Sequence, residues 1–132
     1  MILNFWSQPR ENKSNFPYLN LDSRYSFVVG VRKFYFELSR DETFQKSDLF
    51  YLKSDLIDLT SFNLSQSILN FGLENNENIH YITPAHISYH SLASNSIESP
   101  SFEIYSYRGD RNFLLDYIFL ELEIKRKDGR IF

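Results

Sequence analysis

The chain has 132 residues, with 14 Lys and Arg against 17 Asp and Glu, so it is long enough for one domain with a real core and carries a formal net charge of -3. That mildly acidic balance lacks the positive field a phosphate backbone requires and argues against nucleic acid as a partner. No cysteine is present, which excludes disulfides, thiolate nucleophiles and Cys-based metal centres, and no apolar run nears the roughly 20 residues of a membrane-spanning helix.

Core material is aromatic, with 13 Phe and 9 Tyr against 1 Met and 1 Trp, a composition that suits strands. Residues 1–24 read as an irregular N-terminal arm. Its middle, Gln8 to Asn15, is polar and bounded by prolines, and no secretory signal is visible in it. Phe5 and Trp6 are costly to leave in water, so the arm is expected to dock on its own body or on a neighbouring subunit. Removing residues 1–16 is then expected to weaken assembly and spare the fold. Residues 25–132 read as the β domain.

Tyr25 to Leu38 is the first strong element. Tyr25, Phe27, Val29 and Val31 are apolar on odd positions, whereas Phe34, Phe36 and Leu38 are apolar on even ones. A one-residue slip exchanges the faces of a strand, so a bulge or a strand junction is expected near Arg32 and Lys33, with Gly30 suited to a close approach. Leu49 to Leu59 is apolar on both faces, the pattern of a strand covered on both sides. Ser61 to Leu73 fits a short helix or a strand ended by Gly72, and Glu74 to Asn78 is a loop. Ile79 to Thr83 and Ala85 to Leu92 are short strands split by Pro84, at an edge or a bend. Ala93 to Ser101 is a loop, Phe102 to Tyr107 a strand, Arg108 to Asn112 a turn, and Phe113 to Ile124 the final strand. In that last strand Ile118, Leu120, Leu122 and Ile124 alternate with Phe119, Glu121, Glu123 and Lys125, so one face is buried and one is wet. Asp128 and Gly129 then suit a type I′ turn. Seven or eight short strands at near-regular spacing imply an all-β, antiparallel sandwich or barrel.

Sites for chemistry are hard to find in the chain. His86 and His90 lie four apart, but on an extended strand that spacing is about 13 Å, too far to share one ion, so no metal site is assigned. Glu121 and Glu123 fall on the wet face beside Lys125 and Arg126 and read as a surface charge ladder rather than an acid/base pair. No nucleophile elbow and no phosphate-binding glycine loop occurs, so no catalytic or cofactor residue is assigned and an enzyme is not expected. Arg108-Gly109-Asp110 spells the triplet read by integrin receptors; its plainer reading is a hairpin turn with solvated arginines on its flanks.

The order of elements from the Ser47 to Ile57 strand, through Ile68-Leu69, Tyr81 and Phe102-Glu103-Ile104, to the closing run from Ile118 to Phe132, resembles the minor capsid (penton-type) proteins of Maverick/Polinton elements and related small double-stranded DNA viruses. The resemblance covers about residues 47–132. It implies a jelly-roll-like virion component with no catalytic residues to carry over. The sequence therefore points to a structural, assembly-type subunit in a virion or the cytoplasm, contacting other protein subunits as a homo- or hetero-oligomer, with no cofactor and no membrane partner. Phe5, Trp6, Tyr105, Tyr107, Arg108 and Asp110 are the candidate partner contacts. A recognition module for a peptide, carbohydrate or receptor, using Tyr105, Tyr107 and Arg108, is the alternative.

Overall fold

The computed structural model describes residues 1–16, 18–58 and 67–130. Its strands are β1 (Ile2–Gln8), β2 (Lys13–Asn15), β3 (Leu19–Asn20), β4 (Phe27–Leu38), β5 (Phe50–Ser54), β6 (Ser67–Phe71), β7 (Ile79–Ile82), β8 (Tyr89–Ser91), β9 (Ser96–Ile97), β10 (Phe102–Ser106), β11 (Arg111–Phe113) and β12 (Leu115–Arg126). The first sheet has the order β2-β1-β12-β4-β7, with β8 also paired to β4; the second has the order β11-β10-β5-β6; β3 and β9 form a small ribbon. All pairings are antiparallel. The chain passes from β4 in the first sheet to β5 and β6 in the second, back to β7 and β8, across to β10 and β11, and home to β12 beside β1. This wiring makes an all-β sandwich of jelly-roll-like form.

The longest ladder joins β4 to β12, and it carries the slip seen in the sequence. Glu121 faces Lys33 but Leu122 faces Val31, which leaves Arg32 as the extra residue of a bulge. The bulge lets Phe27, Val29 and Val31 point inward before it and Phe34, Phe36 and Leu38 after it. Opposite them Leu115, Ile118, Leu120, Leu122 and Ile124 supply the β12 share of the core. A second bulge, at Asp116, lets Leu115 face Leu38 while Tyr117 faces Glu37. The second sheet closes the core with Phe50, Leu52, Ile68, Phe71, Ile104 and Phe113. Each fully buried side chain of this size stabilises the fold by about 1.5–3 kcal/mol.

The bulge also explains the break at Pro84. β7 pairs with Phe34 to Glu37 and β8 with Val28 to Gly30, along the same edge of β4. Between them the bulged stretch interrupts the ladder, and the chain leaves the sheet. The expected strand from Ala85 to Leu92 is thus reduced to Tyr89–Ser91. Gly30 meets this returning segment, and a Cβ there would lie 2.4 Å from Ile87 Cγ2 and 3.0 Å from the Ser88 carbonyl oxygen.

Other expectations need correction. The irregular N-terminal arm is a sheet strand over Ile2–Gln8, paired with β12 from Ile2↔Glu123 to Ser7↔Ile118. Its alternation is masked by the short polar run that follows, which forms a 3-10 turn at Pro9–Glu11 and the edge strand β2. Removing residues 1–16 would therefore strip β12 of a neighbour and the core of Phe5, so that deletion would damage the fold. The expected final strand from Phe113 is two strands. β11 belongs to the second sheet and β12 to the first, with exposed Leu114 at the crossing. The Asp128-Gly129 turn is present, with Gly129 at φ 78 and its N–H donating to the Arg126 carbonyl at 3.0 Å. Asp128 does not share the positive φ that a type I′ turn requires. The Ser61 to Leu73 segment is a strand over Ser67–Phe71; residues 61–66 and Leu59 lie outside the described residues.

Replacing Gly30 with Ala is expected to lower stability by about 1–3 kcal/mol, because the Ile87–Tyr89 segment must move away from β4. Urea unfolding checks this; an unchanged midpoint would mean the segment yields freely.

Candidate functional site

On the outer face of the second sheet, the β5–β10 register sets Tyr51 opposite Tyr105. The two rings stack at 5.3 Å and 12° between planes, and Tyr107 packs on Tyr51 at 4.5 Å. Lys53 holds its ammonium 5.4 Å from the centre of the Tyr105 ring. Tyr51 is only 3 % exposed, so the doubly apolar strand inferred from the sequence is covered, on its outer side, by the protein's own tyrosines. Burial, helped by its hydrogen bond to Asp110, pushes the Tyr51 hydroxyl well above the usual phenol range.

The Tyr51 hydroxyl holds the Arg108-Gly109-Asp110 turn. Gly109 and Asp110 both adopt positive φ, 71 and 50, which glycine and aspartate tolerate best. The Asp110 carboxylate accepts the Tyr51 hydroxyl, and the Arg108 guanidinium lies 3.0 Å from the Asp48 carboxylate. Arg111 donates to Glu42 at 2.8 Å and to the Thr43 carbonyl at 2.7 Å. The arginines are exposed turn flanks, as expected, and each is also ion-paired, so both charges of the triplet have partners within the molecule. Tyr107 donates to Asn70 Oδ1 at 2.7 Å, and Asn112 to Glu103 at 2.9 Å. The cluster holds its own turn in place, while Tyr107 remains 47 % exposed.

The outer face of the first sheet is different. Trp6 pairs with Phe119, Phe119 with Tyr35, and Tyr35 with Tyr81, so one aromatic per strand forms an unbroken row across β1, β12, β4 and β7. Directly opposed residues of antiparallel strands share a face, so all of these rings stand on the side away from the core. Tyr35 lies 6.4 Å from Tyr81 and 5.8 Å from Tyr117, ring to ring. Trp6, Phe119, Tyr35 and Tyr117 are half-buried, whereas Tyr81 is 62 % exposed and neighbouring Ile79 54 %. The Tyr35 hydroxyl donates to Glu37 at 2.6 Å, a bond that, with burial, raises its pKa to about 12.

Further along this face the bulged Arg32 reaches Glu121 at 3.6 Å and Glu123 at 3.8 Å. Glu123 also accepts the Tyr89 hydroxyl, and Lys125 lies 3.8 Å from the centre of the Tyr89 ring. The glutamates of β12 are paired as expected but by Arg32 of β4, whereas the expected cations turn elsewhere, Lys125 to the Tyr89 ring and Arg126 to Asp128. His80 is a core residue: its Nε2 donates to the Glu77 carbonyl at 2.6 Å, its ring rests on Phe36 and Phe44, and burial lowers its pKa. His86 is exposed on the loop before β8, and His90, half-buried, has its pKa lowered by burial. Among the described residues no group of three potential metal ligands occurs, and no helix is long and apolar enough to cross a membrane.

The six candidate contacts therefore separate. Tyr105, Tyr107, Arg108 and Asp110 meet at the second sheet; Trp6 lies on the first. Phe5 is 5 % exposed and packs on Phe16 and Phe102 inside the sandwich, because β1 has to bury one of its faces. Sequence reasoning does not single out Tyr35, Tyr81 and Phe119. Phe119 and Tyr35 carry a usable signal, each being aromatic at a wet-face position between two core residues. No protein-family model, no curated protein and no solved structure matches this chain.

Replacing Tyr51 with Phe is expected to cost about 0.5–1.5 kcal/mol, the net worth of one hydrogen bond to a carboxylate that water can reach, and to speed amide exchange over residues 107–111. Chemical unfolding with site-resolved hydrogen exchange checks both; unchanged exchange in the turn would mean that Tyr51 does not hold it.

Proposed function

We propose that this chain is a non-enzymatic structural protein that acts by docking on other protein subunits through the outer face of its first sheet. The observation that carries this is the aromatic row Trp6–Phe119–Tyr35–Tyr81, which runs from the strand next to one sheet edge to the strand at the other. Large aromatics are enriched at the desolvated centres of protein interfaces, and a row of half-buried rings ending in the exposed Tyr81 leaves aromatic surface in water. Their hydroxyls and the flanking charges supply the polar rim such a contact needs. The narrower form of the proposal, a small capsid or capsid-associated subunit, rests on the resemblance of residues 47–132 and on a jelly-roll-like sandwich, an architecture that capsid and lectin domains share. Architecture alone does not decide between those uses.

The alternative, recognition of a carbohydrate or peptide by Tyr105, Tyr107 and Arg108, has less support. A saccharide platform needs free ring faces, and here Tyr105 lies between Tyr51 and the Lys53 ammonium and Arg108 is paired with Asp48, which leaves Tyr107 as the one exposed ring of the three.

The chain isolated under native conditions from its source is expected to run in native mass spectrometry as part of a larger protein assembly. Replacing Trp6 and Tyr81 with Ser, at the two ends of the row, is expected to release it as a monomer with an unchanged β circular dichroism spectrum. A wild-type chain that is already a monomer in its native setting would overturn the proposal.

A further inference from the structure

We infer that the partner on this face is a second copy of the same chain, packed face to face about a two-fold axis that runs along the aromatic row. The inference rests on the docking face proposed above and adds its occupant and geometry.

Lys33 and Glu37 lie two residues to either side of Tyr35 on β4, so both share its outward face, each about 7 Å from the row. Lys33 is exposed and makes no ion pair among the described residues. Glu37 is half-buried, with the Tyr35 hydroxyl on its carboxylate at 2.6 Å and no cation paired with it among the described residues. On β12 the same spacing places Tyr117 and Glu121 on either side of Phe119.

A half-turn about an axis along the row lays row on row and reverses the strand direction. It therefore brings Lys33 of each copy over Glu37 of the other, and the Tyr117 hydroxyl of each over the other's Glu121 carboxylate. An isologous contact repeats each pair twice. A half-turn about an axis parallel to the strands gives Glu37 no cation: along β4 it sets Lys33 over Lys33 and Glu37 over Glu37, and between β4 and β12, where Lys33 is level with Glu121, it sets Glu37 over Tyr117. The unpaired Glu37 thus selects the first axis, the one that brings it a lysine. The rings form the desolvated centre, and the lysine–glutamate pairs fix the register.

The test is sedimentation velocity over a concentration series on the full chain and on four variants: Lys33→Glu, Glu37→Lys, the double reversal Lys33→Glu with Glu37→Lys, and Trp6→Ser with Tyr81→Ser. Circular dichroism confirms folding in each. The wild type is expected to be a dimer. Each single reversal should weaken it by at least about tenfold in Kd, and the double reversal should restore it, since opposite charges then meet again across the axis with their signs exchanged. A wild type that stays monomeric throughout overturns self-association, leaving docking on other subunits to be decided by the native mass of the chain from its source. An oligomer that ignores the charge reversals but is lost with Trp6 and Tyr81 overturns the two-fold geometry and keeps the docking face. An oligomer indifferent to all four variants overturns both.

Discussion

Both surfaces of the first sheet depend on one extra residue in one ladder. β4 and β12 run side by side for their full length, and their core-facing residues can stay in phase only if β4 spends one residue without a partner. Arg32 is that residue. Without the shift, Phe34, Phe36 and Leu38 would face water whenever Phe27, Val29 and Val31 faced the core. Because β4 touches β12 on one side and both β7 and β8 on the other, the phase set there passes on through the sheet to its edge.

The same shift composes the outer face. It turns Lys33, Tyr35 and Glu37 outward in the register that aligns Tyr35 with Phe119, and through Phe119 with Trp6. Arg32 itself lies between two glutamates, where exposed pairs of this length add little to stability but give an unpaired residue a defined place. The two sheets then differ in how they treat their outer aromatics. The second collapses Tyr51, Tyr105 and Tyr107 into a stack that secures its own turn, whereas the first leaves a row open from strand to strand.

Much of this is readable in the residues. The phase change between Val31 and Phe34 locates the bulge, the isolated Gly30 marks a close approach, and the alternation after Asp116 gives the long closing strand. The remainder depends on partners distant in the chain. β1 escapes such a reading because a seven-residue strand containing Asn4 and Ser7 has weak alternation and gains its stability from β12, at the far end of the chain. The split between β11 and β12 escapes it because both are extended and only their partners differ. The aromatic row is hidden for the same reason: each ring can be placed on a face by parity, but their alignment across four strands is a property of register. Phe5 and Trp6 show the limit most plainly, being adjacent and alike in sequence yet assigned to opposite sides of one sheet.

The most direct measurement compares two single-residue deletions in β4 by urea unfolding. Removing Arg32 takes out the unpaired residue and leaves Val31, Lys33 and Phe34 in regular in-out-in alternation, so the protein should still unfold cooperatively, with a modest loss of stability. Removing Tyr35 shortens the strand by the same amount but throws one half of β4 out of phase, so the cooperative transition should disappear. Equal damage from the two deletions would contradict the claim that one unpaired residue sets the faces of this sandwich.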